Sequence, residues 1–169
     1  MNKFLFSSPT IREKFIFGAS KPDPLSKDGV AEWIDFMKSK NIERICVLLQ
    51  SSELDSYPND ILTIYESKFG TENVLHAPIP DLHFADKNLL ITKIYPFLMN
   101  SKKEKKKVVI HCAGGIGRTG HVLAGWLMLE YQMSLTEAIQ EIKKIGRNPL
   151  EAIEKGNEKF SDLESLLNL

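Results

Sequence analysis

The apolar residues of this chain follow two alternating rhythms. Continuous apolar runs at Glu43–Leu49 and Val108–Ile110 read as strands buried on both faces, and Asn73–Pro78 reads as a further strand. Between them, apolar residues recur at helical spacing. Val30, Trp33, Ile34 and Met37 form the core stripe of a helix that Asp23, Pro24 and Ser26 open and that runs to about Lys40. Pro58 to Phe69, stopped by Gly70, and Leu89 to Met99, with Leu90, Ile94, Phe97 and Leu98, are two more helices. The C-terminal third is helical over 118–131, 134–145 and 149–168, with Gly146-Arg147-Asn148-Pro149 as the turn between the last two. Residues 3–6 and 11–17 read as short strands, 18–22 as a loop and 51–56 as a polar loop. Strands alternating with helices predict one α/β domain over residues 1–169, a central mostly parallel sheet with helices on both faces.

The junction after Ile110 carries the chemistry. Cys112 and Arg118 are separated by five residues that include Gly114, Gly115 and Gly117, and Thr119 follows. Glycines allow a loop whose backbone N–H groups converge into an anion-binding nest. The helix that starts near Arg118 aims its free N–H groups and positive dipole end at the same point. A cysteine there is expected to be a thiolate, because helix N-termini and cations depress thiol pKa values. Arg118 supplies a permanently charged fork for two phosphate oxygens. Residues 115–120 also fit the dinucleotide fingerprint GxGxxG, but the required second strand is missing because residues 134–145 read as helix. A Walker A loop fails because no Gly-Lys pair precedes Thr119. A merely packed thiol fits poorly in a glycine-rich loop with an internal arginine.

His111-Cys112-Ala113-Gly114-Gly115-Ile116-Gly117-Arg118-Thr119-Gly120 resembles the signature loop HCxxGxxR(S/T)G of the cysteine-dependent protein tyrosine phosphatase superfamily, in its small dual-specificity-like and archaeal or bacterial form. The resemblance implies that Cys112 is the nucleophile and that Arg118 and the backbone of Ala113, Gly114, Gly115, Ile116 and Gly117 bind phosphate. It implies that His111 orders the loop and that Thr119 donates to the sulfur. Ile79-Pro80-Asp81, about 30 residues before Cys112, is similar to the family's general-acid loop, which assigns the acid to Asp81. Asp86 is the competing carboxylate, although its place before Lys87-Asn88-Leu89 suits a helix N-cap. The family's phosphate-proximal glutamine corresponds to Asn157, which has the same amide on a shorter arm. In some members a second cysteine protects the nucleophile as a disulfide, a role open to Cys46, whose mid-strand position otherwise indicates packing. No metal or organic cofactor is implied. The substrate implied is a phosphorylated protein, phosphotyrosine first. Inositide-directed relatives carry lysines in the loop, absent at 113–117 here. A phosphate-binding module without turnover is the alternative of another class.

Composition narrows the partners further. Twenty-two basic and 22 acidic residues cancel, so no overall field draws the chain to nucleic acid or an anionic membrane, and no aromatic-interleaved basic surface suits RNA. Two cysteines argue against a disulfide scaffold. No apolar run reaches a membrane span, and the N-terminal one is too short for a signal peptide, so a reducing cytoplasm is expected. The run Lys102–Lys107 reads as a solvated connector, with docking of acidic partners as the alternative. Oligomeric state is left open.

Overall fold

The structure, a computed structural model, describes residues 3–169. Four strands form one sheet in the order β1-β4-β2-β3: β1 Ile16–Ser20, β2 Ile42–Val47, β3 Val74–His76 and β4 Lys107–Cys112. All pairings are parallel. The strands are joined by α1 (Gly29–Ser39), α2 (Ser51–Leu54), α3 (Ile61–Phe69), α4 (Lys87–Leu89) and α5 (Tyr95–Lys103), with a π-helical stretch, Leu90–Ile94, between the last two. After β4 come α6 (Gly117–Tyr131), α7 (Leu135–Lys144), α8 (Glu151–Glu154) and α9 (Phe160–Leu167).

Parallel strands present alternate residues to opposite faces, and both faces are covered here. One face of the sheet buries Cys46, Val108 and Ile110 under Val122, Leu123, Trp126 and Leu127 of α6 and Leu98 of α5. Ile45, Val47 and Val109 belong to the other core, with Trp33, Ile34 and Met37 of α1 and Ile61 and Tyr65 of α3. The Trp33 stripe is therefore core, as its spacing predicts. Helix α6 lies close to its neighbours because Gly125 has no side chain: a Cβ there would come within 1.9 Å of the Tyr95 hydroxyl.

Several expectations need correction. Residues 3–5 form a single 3-10 turn with Phe4 and Leu5 at positive φ, not a strand. Within 11–17, only Ile16 and Phe17 are strand, and β1 continues through Gly18–Ser20, where a loop was expected. Glu13 explains the interruption: its buried carboxylate accepts the Phe15 N–H (2.8 Å) and the Trp126 indole N–H (2.9 Å). Helix α1 starts at Gly29, several residues later than its opening signals suggest. Residues 51–54 are a helical turn instead of polar loop, closed by a capping box between Gln50 and Glu53. The predicted helix 149–168 is two helices, broken at Gly156 (φ 81°). The lysine run is a connector only over residues 104–106; Lys102 and Lys103 end α5, and Lys107 begins β4. Lys102 there is engaged by Glu130 at 2.6 Å.

Candidate active site

Order in the sheet fixes the position of the site. β4 lies between β1 and β2, so the loop after Cys112 emerges at the carboxyl edge, flanked by Ser20 opposite Cys112 and Val47 opposite His111. Gly115 turns the loop at φ 72°, and a Cβ there would lie 2.6 Å from the Ala19 carbonyl oxygen. Three loop carbonyls are held outward. Ala113 O accepts from Lys21 N (3.0 Å), Gly115 O from the Arg147 guanidinium, and Ile116 O from Asn148 N (3.3 Å). Because carbonyl and following N–H lie on opposite sides of a planar trans peptide, the N–H groups of 114, 116 and 117 turn the other way, toward the cleft. That orientation is the one a nest requires.

The cleft has a volume of about 190 Å³ and is lined by Cys112, Ala113, Gly114, Ile116, Gly117 and Arg118, with Asp81, Leu82 and Glu151 around them. Cys112 Sγ accepts from Thr119 Oγ1 at 3.2 Å. The Arg118 guanidinium is buried and nearly fully engaged. Nη1 and Nη2 donate to the two Glu53 oxygens at 2.7 and 2.8 Å, Nη1 also to Ile79 O at 3.1 Å, and Nη2 lies 3.1 Å from Asp81 Oδ1. Five N–H groups are available on a guanidinium. Glu53 grips the Nη1–Nη2 end, and Asp81 meets Nη2 as an ion pair only. Among the described residues Nε has no protein acceptor. Burial would raise the Glu53 carboxyl, but hydrogen bonds from Arg118 and the Gln50 N–H outweigh it and hold Glu53 below its ordinary value. Burial likewise would lower Arg118, and the Glu53 pair outweighs it.

His111 is buried beneath the loop. Its ring packs edge-on against Trp33 and Tyr65, Nε2 lies 3.3 Å from the Tyr65 hydroxyl, and Nδ1 lies 3.3 Å from Cys112 O. Burial, against a weaker opposing effect of the Cys112 carbonyl, brings its pKa down to about 4, so it is a neutral support and not a base. His121 is similar. Its Nε2 accepts the Ala85 N–H at 3.0 Å, which leaves the proton on Nδ1, facing Gly117 O at 3.2 Å, and burial again gives about 4.

Asp81 lines the cleft, whereas Asp86 caps α4 by accepting the Leu89 N–H at 3.1 Å and lines a separate surface pocket. Asn157 does not line the cleft. Its amide donates to Leu82 O at 3.0 Å, so it meets the Asp81 loop and not the phosphate site. Cys46 lies opposite Ile110, two residues short of Cys112 on the adjacent strand. At about 4.8 Å between strands and about 3.3 Å per residue, their Cα atoms are roughly 8 Å apart, beyond the reach of a disulfide without backbone movement. Burial pushes the Cys46 thiol up to about 12, as suits a packing residue.

Glu53, Glu151 and His121 carry no functional signal in the sequence, and Arg147 reads there only as part of a turn. Only the capping-box pair Gln50 and Glu53 left a local signal, and it marks a helix start rather than a partner for Arg118. Arg147 is almost fully buried, and its guanidinium also donates to Leu5 O (2.6 Å) and Ser7 Oγ (3.1 Å), so it fastens the loop to the N-terminal segment.

A parallel α/β sheet carrying this loop defines a member of the tyrosine and dual-specificity phosphatase superfamily. The dual specificity phosphatase catalytic domain matches residues 31–154, and the chain belongs to that family. It is similar to the dual specificity protein phosphatase OPG106 of Vaccinia virus (strain Western Reserve), 29% identical over 63 residues, which covers 37% of each chain. The match thus spans little more than a third of that relative. Among solved structures, Tk-PTP in its active form is 28% identical with a TM-score of 0.67, covering 86% of this chain and 93% of that one. A kinase associated phosphatase whose catalytic-site cysteine was replaced by serine is 26% identical with a TM-score of 0.71, covering 90% and 83%.

Proposed function

We propose that this protein is a phosphatase that hydrolyses phosphotyrosine in proteins, and with it phosphoserine or phosphothreonine, through a cysteinyl-phosphate. The observation that carries the reading is the convergence of Cys112, Arg118 and Asp81 on one cleft, with Thr119 donating to the Cys112 sulfur. In the first step Cys112 Sγ attacks phosphorus and the P–O ester bond breaks. Negative charge spreads over the equatorial oxygens, which the nest and the Nε–Nη2 edge of Arg118 stabilise. Asp81, protonated, gives its proton to the leaving oxygen. In the second step water attacks phosphorus, its proton passes to Asp81, and the S–P bond breaks. The departing thiolate is stabilised by the Thr119 hydroxyl.

The arrangement gives Asp81 two partners in turn. Phosphate competes for the charge at Nη2 that Asp81 now pairs with, so substrate binding displaces the carboxyl from Arg118 and leaves it for the leaving oxygen. Substrate charge is limited too. The half-buried Glu151 carboxylate lines the cleft, has no hydrogen-bond partner among the described residues, and packs against Gly117. A carboxylate there repels a second phosphate, which supports singly phosphorylated substrates over polyphosphorylated inositides.

The test is turnover of an aryl phosphate by the wild type and by Cys112→Ser, without added metal. Turnover by the wild type alone is the expected result. Binding of phosphate or vanadate by both proteins without turnover would replace the enzyme with a phosphate-binding module.

A further inference from the structure

We propose that Asn157 and Glu158, on the turn between α8 and α9, are positioning residues that hold the general-acid loop closed over the cleft from outside. The inference rests on the reading of Asp81 as the acid. Residues 80–83 form a tight turn, with His83 N donating to Pro80 O at 3.2 Å and Leu82 N to Asp81 Oδ1 at 3.0 Å. Leu82, whose side chain borders the cleft, sits at φ 58°, a left-handed conformation that costs a non-glycine residue about 1 kcal/mol and persists only where its surroundings enforce it. The enforcement comes from the α8–α9 turn. Asn157 Nδ2 donates to Leu82 O at 3.0 Å, and Glu158 Oε1 accepts from Phe84 N at 3.3 Å. One donor and one acceptor on consecutive residues therefore meet one acceptor and one donor two residues apart on the loop. The break at Gly156 (φ 81°) is what lets them do so, because an uninterrupted helix would carry the chain past the loop.

The outer anchors matter most when the inner one is given up. In the free protein Asp81 is also tied inward, to Arg118 Nη2 at 3.1 Å and through its N–H to Gln50 Oε1 at 3.4 Å. Substrate phosphate takes over the ion pair at Nη2, and the loop then depends on residues 157 and 158, with His121 at Ala85, to keep the acid within reach of the leaving oxygen. This assigns Asn157 to the acid loop rather than to the attacking water.

The test uses leaving groups. Phenyl phosphate, with a basic leaving oxygen, needs the acid, while 2,4-dinitrophenyl phosphate scarcely does. Asn157→Ala and the isosteric Asn157→Asp, which lacks the donor, should each lower kcat/KM for phenyl phosphate about tenfold, equivalent to about 1.4 kcal/mol, with a several-fold smaller loss for the dinitrophenyl ester. In an Asp81→Asn background the same substitutions should add little, because both act through one proton. Equal losses on both esters, losses that multiply with Asp81→Asn, or a burst of phenol that marks a slowed water step would each overturn the proposal. If Asp81→Asn itself shows no dependence on the leaving group, the acid assignment falls and takes the latch with it. Unchanged inhibition by inorganic phosphate in Asn157→Ala is the expected sign that the cradle is untouched.

Discussion

Lowering the pH should unfold this protein through two imidazoles, and the size of the effect follows from where they sit. His111 and His121 are buried and titrate at about 4, against 6.5 in an unfolded chain. Above 6.5 both states are neutral and the histidines cost nothing. Below 6.5 the unfolded chain gains protons that the folded one refuses until about 4, so stability falls across that window. At pH 5, the linkage amounts to about 2 kcal/mol per histidine, or about 4 for the pair. Carboxylates contribute little this far above their own range, which makes pH 5 the informative point. With a urea slope of about 2 kcal/mol per molar for a domain of this size, the unfolding midpoint should drop by about 2 M between pH 7.5 and pH 5. His111→Phe, which fills the slot between Trp33 and Tyr65, will be less stable at neutral pH for want of the Tyr65 contact, yet should lose only about half as much on acidification. A midpoint that moves by the same amount in wild type and variant would refute the assignment of the pH dependence to these rings.

Three further predictions concern the site. Glu53→Gln leaves the buried Arg118 with only the exposed Asp81 as a charged partner. A loss of about 2 kcal/mol, below the usual range for a fully buried pair because Glu53 is partly exposed, should lower the melting temperature by about 4–8 °C in calorimetry. An unchanged melting curve would show that Ile79 and the loop fix the guanidinium unaided. Thr119→Val removes the donor to Cys112 Sγ at constant shape. Breakdown of the cysteinyl-phosphate should slow about 10- to 100-fold, seen in rapid quench as a burst of phenol, and its absence would deny the hydroxyl that role. Glu151→Lys should raise the ratio of inositide polyphosphate to aryl phosphate hydrolysis at least about tenfold, and an unmoved ratio would remove Glu151 from substrate selection.

Fold class and the cleft around Cys112 were legible because both are written locally. β4 is an apolar run that ends in a glycine-rich turn, and α6 follows at once, so cysteine, glycine loop and arginine share one short segment. Asp81 and its rival Asp86 could be separated on local grounds as well, since an N-cap has its own signature and Asp86 has adopted it. What stayed hidden is long-range pairing. Glu53 lies on a four-residue helix with no apolar period, and nothing near it in sequence says that Arg118 will be its partner. Arg147 read as part of a polar turn, yet it is buried, because the carbonyls that satisfy it come from Leu5 and Gly115. The N-terminal misreading has a similar source. Apolar residues at 3–6 and 11–17 suggested strands, while the ladder formed where β4 offered partners, over Ile16–Ser20.

The sheet order also sets a sequence of events during synthesis. β2 and β3 are neighbours in both chain and sheet, so they can pair early. β1, made first, has a single local bridge, between Gly18 and Ser7, and its full ladder forms only with β4, which is made roughly 90 residues later and must enter between β1 and β2. Until that insertion the first strand lacks its ladder, and long-range pairings of this kind slow folding. Cys112 rides at the end of the inserting strand, and the arginine that fastens its loop lies 35 residues further on. A nascent chain therefore cannot assemble the cleft before the residues up to Arg147 have left the ribosome, which keeps the Cys112 thiol uncradled until the fold around it exists.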